Sequence, residues 1–221
     1  MTDETEPVAR VIERLQERFP HLKRLSDLEG ELQPERTETK DERRERLEAR
    51  LGVYQARWQA QVPPMYADAS WGDLDAAQRF DWPEDSLNLV LAGQVGTGKT
   101  HAAYALGNAF SARGQWVQAV TVVDFLAALR PEGNASLAKA AQGCQVLILD
   151  DLGAGKASEF AIEQMTALVD LRIREGRRTI VTTNVPEPEL EAAWGGRFID
   201  RLRYRSTVHI FRGESRRGGA W

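Results

Sequence analysis

The stretch LAGQVGTGKT, Leu91 to Thr100, constrains the fold more than any other part of the chain. It fits G-x-x-x-x-G-K-[ST], with Gly93, Gly98, Lys99 and Thr100 at the fixed places, and it joins an apolar run to a helix-like run. A glycine-rich turn between a buried strand and a helix start lets backbone N–H groups curl inward around phosphate oxygens. The positive end of the helix adds to the attraction. Gly93, Gln94, Val95, Gly96, Thr97, Gly98, Lys99, Thr100 and His101 are therefore the expected nucleotide-binding set. Lys99 is expected to reach the β- and γ-phosphates of ATP, and Thr100 to ligate Mg²⁺.

The rest of the chain agrees with that context. From Leu87 onward, strand candidates LNLVLAG, WVQAVTV, CQVLILD, RTIVTTN and STVHIF alternate with helical patterns. The helical patterns run over Lys99 to Arg113, Val123 to Leu129, Glu159 to Glu175 and Pro186 to Trp194. VLIL and LVLAG do not alternate polar with apolar residues, which is the signature of parallel strands buried on both faces. The expected class is α/β, a three-layer domain around a parallel five-stranded sheet.

Two further segments carry chemistry. QVLILDDLG ends a buried strand with Asp150 and Asp151, at the edge where open α/β sheets bind ligands. Asp150 is assigned to the metal, and Asp151 to the attacking water. TIVTTN ends another strand with Thr183 and Asn184, where a polar side chain can bond the γ-phosphate or the lytic water. Asn before VPEPEL is also good turn chemistry, and periodicity alone does not choose between the two.

Before Pro63-Pro64 the composition changes. Val8, Ile12, Leu15 and Phe19 recur at helical spacing, as do Leu47, Leu51, Tyr54 and Trp58, within densely charged sequence. Residues 1–62 are expected to be a helical, partner-binding arm and residues 63–221 the main domain. The alternative is a solvated helical extension packed on that domain. A net charge of −4 rules out a chain that coats nucleic acid through overall charge. Cys144 is the only cysteine, so neither an intramolecular disulfide nor a cysteine metal cluster can form. No signal-like or membrane-spanning run is present, which makes the expected site the cytoplasm, of the host cell if the gene is viral.

Taken in order, GQVGTGKTHAAYALGNAF, QVLILDDLG, DLRIREGRRTIVTTN and GGRFIDRLR resemble the DnaC/IstB-type AAA+ ATPases, and within them the DnaC-like replicative helicase loaders. VPPMYADASWGDLD resembles the segment that leads into their ATPase domain. The resemblance implies a P-loop AAA+ (ASCE) domain without a C-terminal lid. It also implies that Asn184 is a sensor and Arg201 an arginine finger serving a neighbouring subunit, with Arg197 and Arg203 as alternatives. Arg217 takes the place of the second sensor, and Arg216 stands where the family has a tyrosine. PEGNASLAKAAQG, where relatives carry extra DNA-binding helices, is short and has only Lys139 as a basic residue.

The implied function is ATP-dependent loading of a DnaB-like hexameric helicase onto single-stranded DNA, with the N-terminal helices gripping the helicase and Arg201 mediating self-assembly. Alternatives are an IstB-like transposition regulator and a nucleotide-switched, non-catalytic helicase-binding protein. A small-molecule kinase has less support. Single-stranded DNA is a second candidate partner, and the basic C-terminal set Arg197, Arg201, Arg203, Arg205, Arg212, Arg216 and Arg217 suits a subunit interface first and a DNA backbone second.

Overall fold

Parallel strands buried on both faces need helices on each side, and the computed structural model has that architecture. It describes residues 39–74, 79–153, 155–213 and 215. The strands are β1 (Asn88–Gly93), β2 (Val117–Thr121), β3 (Val146–Asp150), β4 (Arg178–Thr183) and β5 (Ser206–Phe211). They form one sheet in the order β2-β3-β4-β1-β5, and every pairing is parallel. The helices are α1 (Lys40–Gln61), α2 (Lys99–Ala112), α3 (Val122–Ala128), α4 (Ala135–Gly143), α5 (Glu159–Arg174), α6 (Glu187–Trp194) and α7 (Gly196–Arg203).

Alternate residues of β3 feed opposite cores. Leu147 and Leu149 of β3 join Phe125, Met165, Leu168, Trp194 and Phe198 on one face. Val146 and Ile148 join Trp58, Ala102, Tyr104 and Phe110 on the other. All of these are buried, which is why the strands read as unbroken apolar runs.

Helix α4 lies in PEGNASLAKAAQG, the segment read as short and with only Lys139 as a basic residue. Asn134 caps it by accepting the Leu137 N–H at 3.1 Å. Its buried face is only Ala138 and Ala141, too small to register as a hydrophobic stripe. The fully buried Arg172 of α5 donates to the Ala141 and Cys144 carbonyls at 2.9 and 3.0 Å and to Thr179 Oγ1 at 3.0 Å. It ties the end of α4 to the start of β4, a cation at a helix C-terminus. Burial pulls its guanidinium below the usual arginine range, with the neighbouring Cys144 acting in the opposite direction.

The chain divides into two units, Met1–Arg46 and Leu47–Trp221. In the first unit, Thr39 caps α1: its Oγ1 accepts the Glu42 N–H at 3.2 Å, and its own N–H donates to Glu42 Oε2 at 2.9 Å. In the second, Trp58 is buried over Gly107 of α2, where a Cβ would collide with the indole. Trp58 Nε1 donates to Asn108 Oδ1 at 2.7 Å, and Tyr54 stacks on Trp116. Of the stripe Leu47, Leu51, Tyr54 and Trp58, Trp58 is buried and Tyr54 stacks on Trp116, while Leu47 and Leu51 are exposed. The first stripe, Val8 to Phe19, lies outside the described residues.

Candidate functional site

Strands β1, β3 and β4 are adjacent in the sheet and end on one rim. The residues there line a cavity of about 520 Å³: Val95, Gly96, Gly98, Lys99, Thr100 and His101 from the loop and α2, Asp150 and Asp151 at the end of β3, Thr182, Thr183 and Asn184 at the end of β4, and Met65 and Tyr66. The phosphate loop, both acids and the sensor candidate thus meet in one place.

The loop's shape follows from its glycines. Gly98, the residue before α2, has φ 102°, a conformation that side chains disfavour. A Cβ on Gly93 would strike the Phe211 carbonyl of β5. Thr97 Oγ1 donates to the Gln94 carbonyl at 2.8 Å and closes the curl. The Lys99 ammonium lies within it, donating to the Gly93 and Gln94 carbonyls at 2.8 and 2.7 Å, with the residue only 8% exposed. A buried cation in a glycine-rich turn at a helix start is a site for a polyanion.

Thr100 Oγ1 donates to Asp150 Oδ1 at 3.1 Å. The hydroxyl and the carboxylate are hard oxygen donors of the kind Mg²⁺ takes beside substrate phosphates and water. No group of three or more His, Cys, Asp or Glu side chains able to hold a metal occurs among the described residues. Asp151 is exposed, with a left-handed φ of 61° that turns the chain off the strand into the cavity. Asn184 is exposed on the same wall. Thr183 is occupied elsewhere: its Oγ1 donates to the Leu152 carbonyl at 2.7 Å and accepts the Val185 N–H at 3.1 Å.

Sequence reasoning missed Met65, Tyr66 and Thr182. Tyr66 stacks on Tyr104 with centroids 4.8 Å apart, edge-on to His101. Asn108 Nδ2 holds the turn by donating to the carbonyls of Tyr66, Ala67 and Ala69. Burial, and then the nearby Asp150 charge, pushes the Tyr104 phenol up to about 12, so it stays neutral beneath Tyr66. His101 Nε2 lies 3.5 Å from Asp73, whose carboxyl the Ser70 N–H holds below the usual range. The only signal for Met65 and Tyr66 was the resemblance of VPPMYADASWGDLD to the segment that leads into the ATPase domain, and Thr182 lay unmarked inside TIVTTN.

Arg201 does not line the cavity. Its Nε pairs with Asp170 of α5 at 2.7 Å and its guanidinium also pairs with Asp200 at 2.9 Å. Arg203 pairs with Glu187 and Glu191. Arg197 is exposed on the surface that includes Glu159, Glu163 and Asp170. Within the basic set, Arg201 and Arg203 are thus paired with acids of the same chain. Arg216 and Arg217 lie outside the described residues. Among the described residues, no helix is long and apolar enough to cross a membrane.

Residues 28–219 match the family model described as IstB-like ATP binding protein. The chain is 25% identical over 146 residues to the replicative helicase loader DnaC of Buchnera aphidicola subsp. Acyrthosiphon pisum, across 62% of this chain and 59% of that protein. It is 28% identical over 129 residues to the replicative helicase loader DnaC of Escherichia coli (strain K12), across 56% of this chain and 53% of that protein. The match thus spans little more than half the length of these relatives. Among solved structures, the crystal structure of DnaI superposes with a TM-score of 0.60 at 24% identity, over 73% of this chain and 100% of that one. The crystal structure of the DnaC helicase loader gives 0.58 at 19%, over 68% and 100%. At those identities the structural likeness establishes the fold, a P-loop AAA+ domain.

Proposed function

The chain belongs to the family of IstB-like ATP-binding proteins, and from that premise we propose that it is an ATP-hydrolysing loader of a replicative DNA helicase. The observation that carries the hydrolytic part is the convergence of Lys99, Thr100, Asp150, Asp151 and Asn184 on one cavity. The loader part is supported by the relatives named replicative helicase loader.

The chemistry follows from the residues. The loop amides and Lys99 bind the triphosphate, and Thr100 and Asp150 hold Mg²⁺. The metal supplies charge neutralisation across the phosphate oxygens. Asp151 orients a water and accepts its proton as the water oxygen attacks the γ-phosphorus. The bond to the β-phosphate oxygen breaks, and ADP and phosphate leave. Asn184 bonds the γ-phosphate or the water and transmits its presence to β4. Arg201 reaches a neighbouring subunit's site once it exchanges Asp170 and Asp200 for phosphate, which makes turnover depend on assembly. Residues before Leu47 grip the helicase, and single-stranded DNA is the track onto which it is loaded.

The test is co-purification of the full chain with the replicative helicase of the same genome, coupled to steady-state ATPase measurements with and without helicase and single-stranded DNA. Complex formation with a rise in turnover is expected. Lys99→Ala is expected to lose ATP binding by at least tenfold in equilibrium titration while keeping its fold, because a buried charge-assisted contact to phosphate is worth at least about 1.5 kcal/mol. Capture of a transposase in place of the helicase would overturn the loader reading in favour of a transposition regulator. Helicase binding without turnover would leave a nucleotide switch.

A further inference from the structure

We propose that Thr182 is the positioning residue of the hydrolytic centre: one buried hydroxyl that sets both the metal-side acid and the water-side acid. This rests on the ATP-hydrolysis reading above and deepens it.

The argument begins where the sheet stops. The last paired residues of β3 and β4 are Leu149 and Val181. One step further, the register puts Asp150 opposite Thr182. Asp151 then takes its left-handed turn, and its N–H leaves the ladder. A polar group released from a sheet beside a buried residue needs a new partner. Thr182 Oγ1 accepts that N–H at 2.9 Å. Its own proton goes to Asp150 Oδ1 at 2.6 Å. The Thr182 carbonyl accepts the next amide, Leu152 N–H, at 2.9 Å. Thr182 is 2% exposed, so no water competes freely for these bonds.

The consequence is specific to this hydroxyl. Asp150 Oδ1 takes donors from both Thr100 and Thr182, and among the described residues Oδ2 accepts none. Two donors on one oxygen fix the plane of the carboxylate and leave the other oxygen for the cation. The bond to the Asp151 amide fixes the backbone from which the second acid projects. Thr182 thus joins the sensor strand to both acids, and Asp150 Oδ1 carries the link on to Thr100 of the P-loop helix. Hydroxyls that orient a metal-binding carboxylate commonly matter by 10–100-fold in metal affinity or rate.

Thr182→Val keeps shape and removes both side-chain bonds. Expected for the folded full-chain variant is Mg²⁺-free ATP binding within about threefold of wild type. With helicase and DNA present, kcat falls about 10- to 100-fold and KM changes little. Mn²⁺ affinity of the complex with the non-hydrolysable analogue AMPPCP, read by electron paramagnetic resonance, falls about tenfold or more. Thr182→Ser restores both. Thr179→Val, which removes a β4 hydroxyl bonded to Arg172 at the other end of the strand, lowers the melting temperature and leaves kcat and Mn²⁺ affinity alone. If Thr182→Val does not fold, Thr182→Ala carries the same expectations. A folded Thr182→Val with wild-type Mn²⁺ affinity and kcat overturns the proposal, as does a Thr182→Ser variant that fails to restore them. If the wild type itself shows no turnover, the hydrolysis reading fails, and the Mn²⁺ measurement still decides the role of Thr182.

Discussion

Asp151 adopts a backbone conformation that a side chain other than glycine enters at a cost of about 1 kcal/mol or more, and it stands next to a second acid. Asp151→Asn keeps the shape and tolerates the left-handed region equally well. It is expected to retain ATP and Mg²⁺ through Lys99, Thr100 and Asp150. Turnover is expected to fall by about 10²- to 10⁴-fold, the usual worth of a general base. Loss of nucleotide binding in an equilibrium titration would mean that the two acids share the metal. Lys99, Thr100 and Asp150 were legible because their motif residues are contiguous and the flanking apolar runs supply the context. Thr182 was not, because a threonine inside a strand reads as β-propensity and its role appears only across a ladder. Arg172 was hidden in DLRIREGRR for a similar reason. Nothing in a run of charges marks the one that is buried among carbonyls.

At the scale of elements, all five strands were readable, β1 and β3 as unbroken apolar runs with little exposure, and the half-exposed β2 and β5 from their β-branched content. α1 was found, and near its C-terminal end Trp58 packs on the chain's own core. Its stripe has the spacing of a docking helix, and periodicity does not say whether the partner is another protein or the chain's own core. Trp58 closes the core over α2, and Asn108 then carries that contact to the turn holding Tyr66. Trp58→Ala is expected to cost about 3–5 kcal/mol in denaturant unfolding. It should also weaken nucleotide binding through the displaced turn. A chain beginning at Leu47 is expected to fold and bind ATP but to lose the helicase in a pull-down, whereas one beginning at Pro63 should unfold at much lower denaturant. Undiminished helicase capture by the Leu47 chain would move the docking surface into the ATPase domain.

At the scale of the molecule, the site is built on one rim while Arg201 stands outside it, paired with Asp170 and Asp200. If it serves a neighbour, Arg201→Ala is expected to bind ATP nearly as the wild type does and to lose turnover by about a thousandfold or more. Mixing it with Lys99→Ala should restore part of the activity, since an intact loop can then face an intact arginine. Assemblies that form without any rescue, followed by a coupled ATPase assay, would assign Arg201 to its local ion pairs instead. The order of the sheet has a consequence of another kind. β1, which carries the phosphate loop, pairs only with β4 and β5, so Asn88 waits for Thr179 and Ser206. Such distant pairings form slowly, after the loop between them has closed. During synthesis the GQVGTGKT segment leaves the ribosome long before the strands that hold it, and β1 has no neighbour until they arrive. The ability to hold a nucleotide is therefore among the last properties the chain acquires.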